Sequence, residues 1–150
     1  MSRRFFPSLL LLLMFSLPVL AQSPTATWAA EATIGYRVSP NITYLTANGY
    51  EAKLDVYTPS SANANAPVPT LIYIHGGGWT GGTKESAFMN VLPYMEMGWA
   101  VVNVEYRLAR VSLAPAAVED CRCALKWVAR NAKQYNIDTS KLVVTGHSAG

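Results

Sequence analysis

Three short apolar runs, at residues 70–75, 99–104 and 141–145, alternate with two amphipathic segments, and that alternation constrains the fold more than any other feature. A strand–helix–strand–helix–strand order implies a parallel sheet with right-handed crossovers. Runs so uniformly apolar read as strands buried on both faces. The first linking segment has Thr83 as its N-cap, an apolar stripe of Phe88, Val91, Leu92 and Met95, and Gly98 as its stop. Pro93 is expected to kink or shorten that helix. The second helix opens at Pro115. Val118, Cys121, Leu125, Val128, Ala132 and Tyr135 recur at three- and four-residue steps, while Glu119, Arg122, Lys126, Arg130 and Lys133 line the other face. Residues 136–140 return the chain to the last strand.

Upstream of residue 70 the signals are weaker. Two short strands are predicted at residues 33–38 and 42–45, and Asn48-Gly49 marks a turn. Residues 51–57 alternate as a strand, with Ala52, Leu54 and Val56 on one face and Lys53 and Asp55 on the other. Residues 58–69, rich in Pro, Ser, Ala and Asn, read as a surface loop. Asn41-Ile42-Thr43 is a glycosylation sequon, meaningful in a eukaryotic host.

Residues 1–21 stand apart from the fold. Arg3 and Arg4 precede an apolar core from Leu9 to Phe15, and Val19-Leu20-Ala21 forms a small-residue cleavage site. The run is too short, and too soon interrupted by Pro18, to span a membrane comfortably. Residues 1–21 are therefore expected to be a signal peptide, with a mature chain from about Gln22 and a secreted or periplasmic location. The chain has 12 Lys+Arg against 9 Asp+Glu; without Arg3 and Arg4 the balance is 10 against 9, or +1. The remaining basic residues are scattered, so nothing points to nucleic acid. The remaining 129 residues suffice for one modest core.

Two motifs carry the chemistry. The run Lys141-Leu142-Val143-Val144-Thr145 leads into Gly146-His147-Ser148-Ala149-Gly150, a Gly-x-Ser-x-Gly turn with a serine at its tip. Such a strand-to-helix turn exposes the hydroxyl of Ser148 and aims the Ala149 N–H at a developing oxyanion. The run at 70–75 leads into Gly76-Gly77-Gly78-Trp79. Three glycines cost backbone entropy on ordering, and their use is to let N–H groups converge on one point. Both motifs lie at carboxyl ends of parallel strands and so open on one edge of the sheet.

The pairing resembles the α/β-hydrolase family, and within it the hormone-sensitive-lipase-like carboxylesterases. The likeness is carried by His75-Gly76-Gly77-Gly78-Trp79, Glu105-Tyr106-Arg107-Leu108, Pro115 with Asp120, and the Gly146–Gly150 pentapeptide, over residues 54–150. It implies an α/β-hydrolase fold, a mostly parallel sheet flanked by helices and truncated after the nucleophile elbow. It implies Ser148 as the nucleophile and the N–H groups of Gly77, Gly78 and Ala149 as the oxyanion hole. His75 would brace the glycine loop, and Trp79 would wall the pocket. Asp120 is read more simply as an acidic residue near a helix N-terminus. Arg110-Val111-Ser112 stands where such esterases often carry Pro and an acidic residue, which weakens substrate inference by analogy.

A serine hydrolase also needs a general base and a carboxylate orienting it. The chain has two histidines. His147 adjoins Ser148 in the turn, where successive side chains point apart, and His75 is placed to brace the loop. Since the fold orders its triad Ser, acid, His, both partners are expected beyond Gly150. Residues 22–150 are then the N-terminal portion of the catalytic domain, expected to be inactive and to fold poorly alone. No cofactor and no metal site are expected, for want of a His/Cys/Asp cluster. Cys121 and Cys123 lie two apart on a helix and cannot easily bridge each other; Cys121 reads as a small core residue, and Cys123 is free to pair elsewhere. Three readings compete. The first is an exported serine carboxylesterase acting through an acyl-enzyme on short acyl esters, acetyl and feruloyl esters of plant polymers included. The others are an amidase, formamidase or peptidase on the same scaffold, and a non-catalytic binding protein retaining the fold.

Overall fold

A computed structural model describes residues 34–150. The signal peptide expected at residues 1–21, and the start of the first predicted strand at Thr33, lie outside the described residues. Five strands form one sheet: β1 (Tyr36–Ala47), β2 (Tyr50–Pro59), β3 (Val68–Ile74), β4 (Ala100–Val104) and β5 (Ile137–Gly146), in the order β1-β2-β4-β3-β5. The sheet is mixed. β1 pairs antiparallel with β2, and β2 with β4, whereas β4, β3 and β5 run parallel. The parallel half is the part whose alternation with helices was legible.

The amino-terminal half departs from expectation in a simple way. The two short strands predicted before residue 46 are one strand, β1, interrupted by register shifts between Ser39 and Ile42 and between Thr43 and Leu45. Asn41 sits in the first shift at a φ of 55°. A bulge of this kind breaks the period-two pattern that a sequence reader follows. Asn48 and Gly49, both at positive φ (52° and 78°), make the tight turn into β2, and Asn-Gly suits such a turn because both central positions are left-handed.

Two helices cover opposite faces. A single 3₁₀ turn (Glu85–Ala87) leads into α1 (Phe88–Glu96). Thr83 and Ser86 bond reciprocally across this entry, Thr83 Oγ1 accepting from the Ser86 N–H and Ser86 Oγ from the Thr83 N–H, both at 3.2 Å. The helix itself starts later than expected, with Ala87 and not Thr83 as its N-cap and no side-chain cap bond. The helix runs through Pro93, which cannot bond the Met89 carbonyl, and stops at Gly98, whose φ is +77°. Val91, Leu92 and Met95 pack on Leu71, Tyr73 and Val101. On the other face α2 (Ala116–Asn131) sets Ala124 and Val128 on Leu54, Val56, Ile72, Val102 and Val104. Alternate residues of β3 and β4 thus feed alternate cores. Each fully buried Leu, Ile or Val there contributes about 1.5–3 kcal/mol over its exposed state.

Three expectations about burial fail. The inward face of α2 is Ala116, Asp120, Ala124 and Val128; Val118 and Leu125, assigned to the apolar stripe, are 60% and 40% exposed. Small side chains let this helix lie close to the sheet, so its contact face is spaced by four and is not its most hydrophobic face. Asp55, placed on an outer face of β2, is buried against Lys84. Finally, β5 begins at Ile137, earlier than predicted, and forms an edge of the described sheet, with Val143 and Val144 open to solvent. No helix of the described residues is long and apolar enough to cross a membrane.

Candidate functional site

β3 and β5 pair in parallel with Ile74 opposite Gly146, so the two glycine motifs leave the sheet side by side. In the elbow, the His147 N–H donates to the Ile74 carbonyl at 3.4 Å and the Gly150 N–H to the His147 carbonyl at 3.0 Å. This tight turn puts Ser148 at a φ of +56°, a left-handed conformation that costs a non-glycine residue on the order of 1–3 kcal/mol. The flanking glycines are required by close approach. A Cβ on Gly146 would lie 2.5 Å from the Gly150 carbonyl carbon and 2.7 Å from the Ile74 oxygen, and one on Gly150 would collide with the same Ile74 oxygen.

The glycine loop packs against this elbow. A Cβ on Gly76 would stand 2.6 Å from the His147 carbonyl oxygen and 3.3 Å from Ser148 Cβ. Gly77, Gly78 and Trp79 follow with φ of +130°, +60° and +58°. The Gly77 carbonyl accepts from the Thr80 and Gly81 N–H groups at 3.2 and 3.0 Å, and the Trp79 carbonyl from the Ala109 N–H at 2.7 Å. Ser148 and Gly76–Trp79 are therefore brought together, and Ala149 follows Ser148 on the elbow.

Beneath the loop lie charged groups whose partnership the sequence did not disclose. His75 is 1% exposed; its Nδ1 donates to the Gly76 carbonyl at 2.7 Å, and its Nε2 faces Glu105 Oε1 at 3.6 Å. That separation is beyond a hydrogen bond, and Nε2 has no such partner. Glu105 Oε2 accepts from the Lys84 N–H at 2.8 Å. Lys84, 3% exposed, pairs through Nζ with Asp55 Oδ2 at 2.9 Å and with Glu85. Burial alone would lower the Lys84 ammonium, yet Glu85 and Asp55 together leave it raised.

Asp120 corrects the plainest reading of all. It is no solvated helix-terminal acid but a fully buried carboxylate, 0% exposed. It accepts from Arg107 Nε at 2.9 Å, Arg107 Nη2 at 2.6 Å and the Arg107 N–H at 2.9 Å. This fork ties the segment after β4 to the first turns of α2, and the carboxylate holds the guanidinium raised. The spacing Ala116, Asp120, Ala124, Val128 was the available signal: an acid in register with the small residues of a contact face.

Two connected hollows open beside the elbow. One, of about 170 Å³, is lined by Ile74, Trp79, Tyr106, Cys121, Ala149 and Gly150 among others. The other, of about 280 Å³, lies between Trp79, Arg107, Ala109, Pro115 and Val118. Trp79, Ala117 and Val118 border both, so a largely apolar groove leads away from the elbow. Burial, with Asp120 adding to it, pushes the Cys121 thiol up to about 11, which makes it a wall and a poor nucleophile. Among the described residues no His, Cys, Asp and Glu side chains cluster to hold a metal ion.

Residues 54–150 match the BD-FAE family. The chain is 37% identical over 107 residues to carboxylesterase NlhH of Mycobacterium tuberculosis, covering 68% of this chain and 33% of that protein. It is 35% identical over 103 residues to an arylesterase of Saccharolobus solfataricus, covering 67% of this chain and 32% of that protein. Among solved structures it resembles a bacterial heroin esterase, an α/β-hydrolase, with a TM-score of 0.66 and 36% identity over 84% of this chain and 41% of that one. The chain thus spans about a third of the length of the curated relatives it matches.

Proposed function

The chain belongs to the BD-FAE family and has the α/β-hydrolase fold, and from that premise we propose that it carries the nucleophile and oxyanion hole of a serine carboxylesterase. Ser148 Oγ attacks the ester carbonyl carbon, and the negative charge that grows on the carbonyl oxygen is met by the N–H groups of Gly77, Gly78 and Ala149. The alcohol leaves with a proton, an acyl-serine remains, and water releases the acid. His75 braces the loop, and Trp79 walls the groove. The observation that carries this reading is the packing of Gly76 against Ser148, which sets a backbone rich in left-handed N–H groups beside a hydroxyl on a strained turn. The relatives' names all denote esterases, which supports an ester over an amide.

The general base and its carboxylate come from outside this sequence. His75 is buried with Nδ1 engaged on Gly76, and His147 shares the turn with Ser148. The groove's largely apolar walls suit the acyl part of an ester, and the proposal extends to short acyl esters and to acetyl and feruloyl esters. Residues 1–21 support export, and a balance of +1 without Arg3 and Arg4 gives no reason to expect a nucleic-acid partner. The test is a fluorophosphonate probe on the complete protein, followed by matched ester and amide substrates. A Ser148 adduct with faster ester turnover is expected. Faster amide turnover would move the assignment to an amidase, and absence of any adduct would leave a binding protein.

A further inference from the structure

The proposed reaction leaves unused the buried charges beneath the glycine loop. The Gly76 carbonyl oxygen can only accept, so the 2.7 Å contact with His75 requires a proton on Nδ1. Nε2 is buried, unpartnered and turned towards a carboxylate 3.6 Å away. A bare Nε2 would point its lone pair at Glu105, whereas a protonated one points an N–H. Glu105 is held in place by the Lys84 N–H, and Lys84 in turn by Asp55 and by Asn103 Nδ2, which donates to the Lys84 carbonyl at 2.6 Å. The Tyr106 ring stacks on the imidazole with centroids 4.4 Å apart, an arrangement that favours a cation. The Tyr106 hydroxyl donates to the His75 carbonyl at 2.9 Å.

Peptide geometry connects this histidine to catalysis. The Gly76 C=O and the Gly77 N–H belong to one planar trans unit and point in opposite directions. Whatever fixes the Gly76 oxygen therefore aims the Gly77 N–H. A cationic donor on that oxygen also polarises the unit and strengthens its N–H as a donor. The chain makes room for this bond: a Cβ on Gly82 would strike the Gly76 oxygen and come within 2.8 Å of His75 Nδ1.

We infer that Glu105 holds His75 as an imidazolium and that His75, acting through the Gly76–Gly77 peptide, is the positioning residue for the Gly77 oxyanion donor. The effect on rate rests on the esterase reading; the charge on the ring does not. Charged and titratable groups face His75 from each neighbouring element. They are Glu105 and Tyr106 after β4, Lys84 and Glu85 before α1 with Asp55 of β2 behind them, and His147 of the elbow. Burial pulls the imidazole down, but the Glu105 contact and the Gly76 bond outweigh it and leave it raised. A raised histidine contributes stability that is complete below its unfolded value of about 6.5 and is lost as pH climbs through the folded value. Ester hydrolysis falls over that same alkaline range.

The experiment compares the complete protein, with its histidines ¹⁵N-labelled, with its Glu105→Gln variant, whose amide oxygen still accepts from Lys84. In the wild type both His75 ring nitrogens carry protons at neutral pH, and the Gly77 amide resonance titrates with the His75 midpoint. In Glu105→Gln the His75 midpoint falls, the Gly77 midpoint follows it, and the alkaline limb of kcat moves to lower pH. There kcat drops about tenfold at little change in KM, less than the 10²–10³ of a lost oxyanion donor. Glu105→Asp restores part of each shift. A singly protonated His75 in the wild type at neutral pH overturns the inference, as does a Gly77 amide indifferent to the His75 titration. A protein that takes no probe at Ser148 sinks the esterase reading instead, and the ring and amide titrations still decide the charge and the coupling.

Discussion

The two loops that meet at the candidate site are both bent into left-handed backbone, yet they are held there by different means. The elbow is held by backbone packed on backbone: Gly146 and Gly150 close on each other and on the Ile74 carbonyl. It follows β5, an edge of the described sheet with solvent on both faces at Val143 and Val144. The glycine loop has close approaches of its own, but it leaves β3, a strand paired on both sides, and rests on side chains. His75, Glu105, Lys84 and Asp55 lie beneath it in a continuous set of polar contacts. The elbow should therefore fail when an atom is added, and the loop when a charge is removed.

The largest effect is expected from adding that atom. Gly150→Ala drives a Cβ into the Ile74 oxygen, with no flexible side chain to yield. It should cost about 4–5 kcal/mol, the range reserved for severe core and backbone lesions, and abolish labelling of Ser148. A urea midpoint near the wild-type value would mean that the elbow is not held by close packing. Removing a charge comes next. Lys84→Met leaves Asp55 buried without its cation and should cost about 3 kcal/mol by urea titration. Ser148 should still take a fluorophosphonate, more slowly, because the elbow does not rest on this pair.

Ser148→Gly reverses the sign. It relieves the positive φ at the elbow and should raise stability by about 1 kcal/mol by the same titration, while ending hydrolysis. A loss of stability would show that the serine side chain itself holds the turn. The smallest effect lies at the other end of β5. The hydrogen bond from Ser140 and the pairing with Lys141 pull the Asp138 carboxyl down to about 2. A depressed carboxylate contributes stability present above its unfolded value of about 3.9 and lost as pH falls through 2. Carboxyl NMR should find that midpoint, and Ser140→Ala should raise it.

The sequence was most legible where local chemistry and global position coincide. The runs at 70–75 and 99–104 are apolar on both faces because helices cover both; Gly76, Gly77, Gly146 and Gly150 are glycine because neighbouring backbone excludes a Cβ, and Gly78 because its φ is +60°. It was least legible where a residue's partner is distant. Asp55 looked like the polar face of a half-exposed strand, and only Lys84, 29 residues on, shows that face to be covered. Asp120 looked like a helix-start acid until Arg107 was seen against it. Hydrophobicity misled on α2 because the helix approaches the sheet through alanines, leaving Val118 to border the groove. On β5, a run rich in branched residues reports that a strand forms, not how much of it the described neighbours cover.

The central claim is that Ser148 is the nucleophile, and the most direct measurement is the site and stoichiometry of fluorophosphonate labelling on the complete protein, read by mass spectrometry beside short-acyl ester turnover. One adduct per chain, on Ser148, is predicted. Ser148→Ala should carry none and should have lost at least about 10⁴-fold in turnover, because the covalent route is gone. Replacing Gly77 keeps the nucleophile but drives a Cβ into the Gly81 carbonyl at a positive φ. The loop and its oxyanion donors are displaced, so Ser148 should still be the residue labelled, at least about 10²–10³ more slowly. Near-normal ester turnover by Ser148→Ala, or an adduct that forms on a different residue, would contradict the account.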